Sequence, residues 1–310
     1  MGIITKTSVL NMSREQWVQS RKDSIGGSDA ASLLGLNSYS SPYALWAEKT
    51  GAIEPEDISE KEAVRLGVFL EPYVAQRFTE ITGKKVRREN YILKNSDYPW
   101  AHANVDRLVI GEKAGLECKT TSALNLKKFK GGEYPANYYC QCMHYMAVTG
   151  YDKWYLAVLI GNHDFRIFEI LRDEDEIAAL MDAERQFWDC VTSNTPPAVD
   201  GLPATGKTIE ALHADTGETV DLTPVCANIR QYLALKAQMK ELEEQLEAAA
   251  NGIKAFMGDA GKGIYGDTTV NWRAVSTNRF DKKAFQQKNP GIDLAPYHKT
   301  TVSRRFEVKG

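Results

Sequence analysis

Trp100-Ala101-His102-Ala103-Asn104-Val105-Asp106-Arg107-Leu108-Val109-Ile110, a turn from Gly111 to Gly115, and Leu116-Glu117-Cys118-Lys119-Thr120 form the stretch on which the fold turns. Short apolar and β-branched runs punctuated by glycines predict an antiparallel hairpin. A period of two sets Glu117 and Lys119 on one strand face, and Asp106 on the preceding strand brings a third charge towards them. Val105, Leu108, Ile110 and Leu116 are apolar, so one face of the hairpin is expected in a core. Charged groups held beside a core need a reason. Two carboxylates with a backbone carbonyl suit a hard, oxygen-seeking cation such as Mg²⁺, and a lysine beside them can serve an attacking water. That is chemistry for phosphodiester hydrolysis.

Outward from the hairpin, the chain reads as helices, hairpin, helix, hairpin, helix. A helix around Trp17 is followed by Ile25-Gly26-Gly27-Ser28 and a second helix with Ser28 or Asp29 as N-cap. Ser59 to Glu62 matches a capping box for a helix expected to break at Glu71-Pro72 and stop near Gly83. A strand is expected from Val86 to Leu93. Pro135 and Gly150 bracket a helix carrying Gln141; strands Lys153 to Ile160 and Phe165 to Leu171 come next, then a helix from Asp173 to Thr192. Thr195 to Gly201 reads as a linker, dividing residues 1–200 from an accessory region, 201–310. There, apolar residues from Ile229 to Phe256 at three- and four-residue steps predict a long amphipathic helix, Thr223 to Met257. Strands are expected at Tyr265 to Val275 and Thr300 to Val308.

The 310 residues are enough for one large domain or two smaller ones, and 43% hydrophobic with 25% charged residues excludes a disordered or collagen-like chain. No apolar run reaches the roughly 20 residues a membrane helix needs. Met1 to Trp17 shows no apolar signal core, and five cysteines without C-x-x-C indicate reduced thiols, so a cytoplasmic location is expected. A net charge of −3 means that nucleic acid would be held by local basic clusters. Lys84 to Arg88, Lys127 to Lys130 and Arg279 to Gly310 are such clusters. Two motif matches fail on context. Gly201 to Thr208 spells a P-loop but comes after Pro196-Pro197 rather than a buried strand, and Gly261 to Gly266 spells G-x-G-x-x-G between a helix and a strand, the reverse of dinucleotide-binding order.

The sequence resembles the YqaJ-type viral recombinases, relatives of lambda exonuclease within the PD-(D/E)XK nucleases. The resemblance rests on five blocks in order: Arg21 with Ile25 to Ala31; Ser41-Pro42-Tyr43-Ala44-Leu45-Trp46; Gly67 to Glu71; Ala103 to Asp106 with Glu117-Cys118-Lys119; and Tyr138 to Gln141 running to Gly150. It implies an α/β (α+β), restriction-endonuclease-like core with a central mixed sheet flanked by helices, plus the long C-terminal helix and a small β-containing tail. It implies two Mg²⁺ ions, with Mn²⁺ as a substitute, bound by Asp106, Glu117 and the carbonyl of Cys118. Lys119 would serve the attacking water, Glu71 would act on metal-bound water, and Gln141 would place water or the scissile phosphate. Arg21 and Ser28 look like the pair that holds a 5′-terminal phosphate. Asn104 stands where lambda exonuclease has a serine that also touches it.

The implied activity is 5′-to-3′ exonuclease action on linear double-stranded DNA ends, supplying a phage single-strand annealing protein, by a homo-oligomer forming a ring-shaped trimer. Three alternatives stay open at this point: an endonuclease with the same site, a non-catalytic DNA-end adaptor, and a P-loop ATPase using Gly201 to Thr208. His102, His144 and His163 share no metal-ligand spacing and are expected to be structural. An iron–sulfur variant is not expected, because no cysteine lies near the N-terminus and no C-terminal triplet exists.

Overall fold

The computed structural model describes residues 2–299 and 305–308, the Arg14 side chain aside. The chain forms two compact units, Met1–Ala214 and Asp215–Gly310. The first contains β1 (Ile4–Ser8), α1 (Arg14–Lys22), β2 (Ile25–Gly26), α2 (Gly27–Leu33), α3 (Pro42–Lys49) and α4 (Glu62–Thr82). Next come β3 (Val86–Arg88), β4 (Tyr91–Asn95), β5 (Ala101–His102), β6 (Arg107–Val109), β7 (Ala114–Thr121), α5 (Ala136–Thr149), β8 (Lys153–Ile160), β9 (Asp164–Leu171), α6 (Glu174–Thr192) and α7 (Pro203–Leu212). The second unit holds α8 (Cys226–Met257), β10 (Lys262–Tyr265), β11 (Thr268–Asn271) and α9 (Lys282–Lys288).

The expected mixed sheet is present, in the order β3-β6-β7-β8-β9. β7 and β8 run parallel and the other pairs antiparallel. Alternation along β7 divides its side chains between two layers. Ala114, Leu116 and Cys118 pack with Val74, Ala75 and Phe78 of α4 on one face. Gly115, Glu117 and Lys119 turn the other way, where Met143 and Met146 of α5 join Leu108, Trp154 and Leu156. Trp154 lies against Gly115 so closely that a β-carbon there would sit 2.1 Å from the indole. β7 is the middle strand of the sheet.

Several expectations are corrected. The Val86–Leu93 run splits into β3, in the main sheet, and β4, which pairs with β1. The Trp100–Ile110 strand is also broken: Asn104, Val105 and Asp106 lie between β5 and β6, so Asp106 is not on a strand. Helix α2 begins two residues earlier than expected, with Gly26 as N-cap and the Asp29 carboxylate accepting the Gly26 N–H at 3.0 Å. Ser59 is not the cap of α4, whose N-cap is Lys61. That helix runs on through Pro72, so Glu71 is mid-helix rather than at a break. A proline removes one bond, here to the carbonyl of Val68, and Val68 is exposed, so water satisfies that carbonyl.

The division between units falls after Ala214 rather than after Asp200, because α7 packs on α3. The buried Thr205 hydroxyl lies 2.7 Å from both the Asp200 carboxylate and the Ser41 hydroxyl. The G-x-x-x-x-G-K-T letters are thus helix and its lead-in. In the second unit the Tyr265–Val275 strand is replaced by the β10–β11 hairpin, turning at Gly266 with φ of +54°. Of the expected strand Thr300 to Val308, residues 300–304 lie outside the described residues, and 305–308 carry no strand. Among the described residues no helix is long and apolar enough to cross a membrane.

Candidate active site

The ladder between β6 and β7 ends at the pair Arg107–Leu116. The next β7 group facing that edge is the N–H of Cys118, and the Asp106 carboxylate accepts it at 2.8 Å in place of a strand. In an extended strand the N–H and C=O of one residue point to the same edge, so the Cys118 carbonyl faces the opening beside Asp106. Glu117 projects from the α5 side of the sheet and is 3% exposed. Its Oε1 accepts from the Gln141 amide at 2.8 Å and lies 2.6 Å from Lys119 Nζ. Lys119 also donates to Gln141 Oε1 at 2.9 Å and sits 5.3 Å from the Tyr138 ring centre. Gln141 is therefore clamped from both ends, and its amide meets the Tyr145 hydroxyl at 2.8 Å. Tyr145 in turn donates to the Asn104 carbonyl at 3.1 Å, tying α5 to the segment that carries Asp106.

Charge in this cluster is unbalanced. Burial, together with the neighbouring Glu117 carboxylate, pushes the Asp106 acid up to about 8, against the lowering effect of the Cys118 N–H and Lys119. Burial would lower the Lys119 ammonium, but Glu117 and Asp106 outweigh it and hold it above its ordinary value. Lys119 is thus a fixed cation. Glu117 Oε2 is buried and has no hydrogen-bond partner. An orphaned carboxylate oxygen beside an acid raised by charge repulsion is the signature of a place that a cation would complete. Among the described residues no group of three or more His, Cys, Asp or Glu converges as a metal cluster, so the donor set is two carboxylates and a carbonyl. That set suits a hard divalent ion that keeps part of its water shell.

Glu71 reaches the same region from α4. Its Oε1 bonds to Arg107, which also donates to the Asp106 carbonyl at 2.7 Å, and lies 3.5 Å from Arg88. Arg21 and Ser28 are brought together as expected, with Arg21 Nη2 donating to the Ser28 hydroxyl at 3.0 Å. Beneath them Asp29 lies 3.9 Å from Arg21 and 2.6 Å from Lys49, whose ammonium also bonds to the carbonyls of Arg21 and Ser24. Burial opposes ionisation of Asp29, but Lys49 and Arg21 outweigh it and hold the acid below its usual range. The guanidinium rests over the Trp17 ring at 5.0 Å. An arginine and an exposed hydroxyl on this base can hold an anion.

A family profile described as the YqaJ-like viral recombinase domain matches residues 16–152. The uncharacterized protein YqaJ of Bacillus subtilis (strain 168) is 42% identical over 313 residues, covering 99% of this chain and 97% of that relative. The chain belongs to the YqaJ family. Among solved structures, an alkaline exonuclease (LHK-Exo) from Laribacter hongkongensis covers 58% of this chain and 94% of its own, with 18% identity and a TM-score of 0.46. The same enzyme in complex with dAMP gives 19% identity and 0.48 over the same shares.

Within this YqaJ chain, sequence reasoning missed Arg107, Tyr145 and Lys49. Tyr145 had a signal: it stands four residues after Gln141, on the same face of α5. Gly27 also had one, since a glycine before a helix often marks close approach. A β-carbon at Gly27 would lie 2.5 Å from Tyr145 Cε1 and 3.2 Å from Gln141 Cγ. The histidines read as structural are buried at positions 102 and 144: His102 Nδ1 lies 2.9 Å from Ser24 Oγ, and His144 Nδ1 lies 2.7 Å from Glu184.

Proposed function

We propose that this YqaJ-family protein is a metal-dependent DNA nuclease that resects the 5′ strand of linear duplex DNA, leaving 3′ single strands for an annealing protein in phage-type recombination. The observation that carries the reading is the paired Asp106 and Glu117 carboxylates with the orphaned Glu117 oxygen at the open edge of β7. Asp106, Glu117 and the Cys118 carbonyl would hold Mg²⁺, for which Mn²⁺ can substitute, and a second ion would share the carboxylates. A bound divalent ion supplies charge to a phosphate oxygen and acidifies a water.

The chain's own groups do the remaining work. Gln141 fixes Glu117 and Lys119 at set positions, which pre-pays the orientation of the reacting groups. Lys119, held protonated by its carboxylate neighbours, orients the water and offsets charge on the phosphate rather than taking a proton. Glu71 is the remaining carboxylate able to accept the water's proton, once Arg107 swings to the incoming phosphate. Arg21 and Ser28 would hold the 5′-phosphate, with Asn104 as an added donor, and so select ends. The exposed Lys127, Lys128 and Lys130, just beyond β7, suit the DNA backbone. The family's description as a viral recombinase domain accords with this reading.

The test is digestion of end-labelled linear and covalently closed circular duplex DNA, with Mg²⁺ or EDTA, by the wild type and Glu117→Ala. Loss of label from 5′ ends of linear DNA only, dependent on metal and on Glu117, is the expected result, with at least a 100-fold fall in the variant, about the scale of losing a catalytic charge. Cut circles would replace exonuclease with endonuclease; end binding without shortening would leave an adaptor.

A further inference from the structure

We propose that α8 pairs with α8 of a second copy of this chain as an antiparallel two-stranded coiled coil. The inference rests on the second unit alone and does not depend on the nuclease reading. Val225, Tyr232, Met239, Leu246 and Ile253 recur every seven residues, and Asn228, Leu235, Leu242, Ala249 and Phe256 recur at the same period, three residues on. Two interleaved series of this kind are an a/d seam of period 3.5, sustained beyond the three or four heptads that distinguish a coiled coil from a helix lying on a domain. A helix that packs on its own domain carries a wider stripe. Here the positions flanking the seam over its central heptads are Gln231, Lys236, Gln238, Glu243, Gln245 and Ala250, none of them a large apolar residue.

The seam has no cover among the described residues. No residue of α8 is buried, and Leu235, Met239, Leu242 and Leu246 are 51%, 61%, 63% and 72% exposed. The tail of the same unit touches the helix near its ends only: Phe306 meets the Tyr232 ring at 5.6 Å, and Met257 lies beside Gly263.

Side-chain size and charge choose the occupant and its direction. A two-fold axis between Met239 and Leu242 sets Tyr232 opposite Ala249 of the other copy, Leu235 opposite Leu246, Met239 opposite Leu242 and Val225 opposite Phe256. Large residues then face small ones, as a filled core requires. A parallel pair would set Tyr232 on Tyr232, which crowds, and Ala249 on Ala249, which leaves a void. The same antiparallel axis puts Lys236 of each copy beside Glu243 of the other; a parallel pair puts each of them beside a glutamine. Opposed helix dipoles add to the preference.

Sedimentation equilibrium of the full chain tests the proposal. The expected result is a dimer that Leu242→Lys converts to monomer. Lys236→Glu alone sets glutamates together twice and should weaken association roughly tenfold, and adding Glu243→Lys should restore it. Direction is read by oxidation. Cys226 is exposed at the start of α8, and antiparallel pairing separates the two copies of it by roughly 40 Å at 1.5 Å per residue. No Cys226–Cys226 cross-link should form within the dimer, whereas Leu235→Cys mixed with Leu246→Cys should cross-link. A monomeric wild type, a trimer, a dimer indifferent to Leu242→Lys, a charge exchange without rescue, or a Cys226 cross-link would each overturn the proposal.

Discussion

Asp106 and Glu117 share a small buried space without a compensating cation of their own, and the consequence can be measured without any substrate. An unfolded aspartate loses its proton near about pH 4, whereas Asp106 in the fold keeps its proton up to about 8. Between those values the folded chain binds more protons than the unfolded chain, so stability falls as pH rises. Asp106→Asn removes that ionisation while its side-chain oxygen can still accept from Cys118. In EDTA, the variant should therefore melt above the wild type at pH 8, by more than about 2 °C for each kcal/mol relieved, with the gap closing towards pH 4. Mg²⁺ should raise the melting temperature of the wild type at pH 8 and leave the variant unmoved. Parallel pH profiles would show that the acid ionises freely. The participants in this cluster were legible to different degrees. Glu117 and Lys119 announce themselves by a period of two. Arg107 and Lys49 do not, because nothing in a lone basic residue says that it will be buried against a particular acid.

At the scale of elements, the site depends on how closely the start of α2 approaches α5. Gly27 makes that approach possible, since a β-carbon would overlap the Tyr145 ring at 2.5 Å. Gly27→Ala should push the two helices apart, at a stability cost of about 1–3 kcal/mol, and displace Gln141 from Glu117 and Lys119. Because small misplacements of oriented groups are expensive, kcat/KM should fall roughly 10–100-fold in protein that is still folded. A variant that loses stability but keeps its activity would show that the Gln141 clamp is dispensable. The existence and type of most elements could be read from the sequence: the hairpin pairs, α5 between Pro135 and Gly150, and α6 were all visible in pattern and punctuation. Their interruptions were not. The break before Asp106 arises because a carboxylate takes over a backbone bond, and the continuity of α4 through Pro72 arises because one carbonyl can turn to water. Both are settled by tertiary surroundings that local periodicity does not encode.

For the whole molecule, the division after Ala214 has a practical consequence. A chain ending at Ala214 retains α7 and the buried meeting of Thr205, Asp200 and Ser41, whereas one ending at Asp200 loses them. The longer piece should unfold cooperatively with a midpoint near that of the full chain, and the shorter one should be less stable by about 1–3 kcal/mol for the buried groups left unpaired. Urea titration of both pieces checks this; equal midpoints would mean that α7 contributes nothing. The boundary was misread because Thr195 to Gly201 carries the punctuation of a linker, while α7, the next helix, packs back on α3. The placement of β7 reaches further. A middle strand can open only when its neighbours also part, so the amides of β7 that bond to β8 should exchange with deuterium through global unfolding alone. Asp106, outside the ladder, lies where local opening suffices. One acid is thus anchored to the slowest-breathing part of the molecule and the other to a segment free to adjust, a division of labour that lets a rigid frame accept ions of slightly different radius.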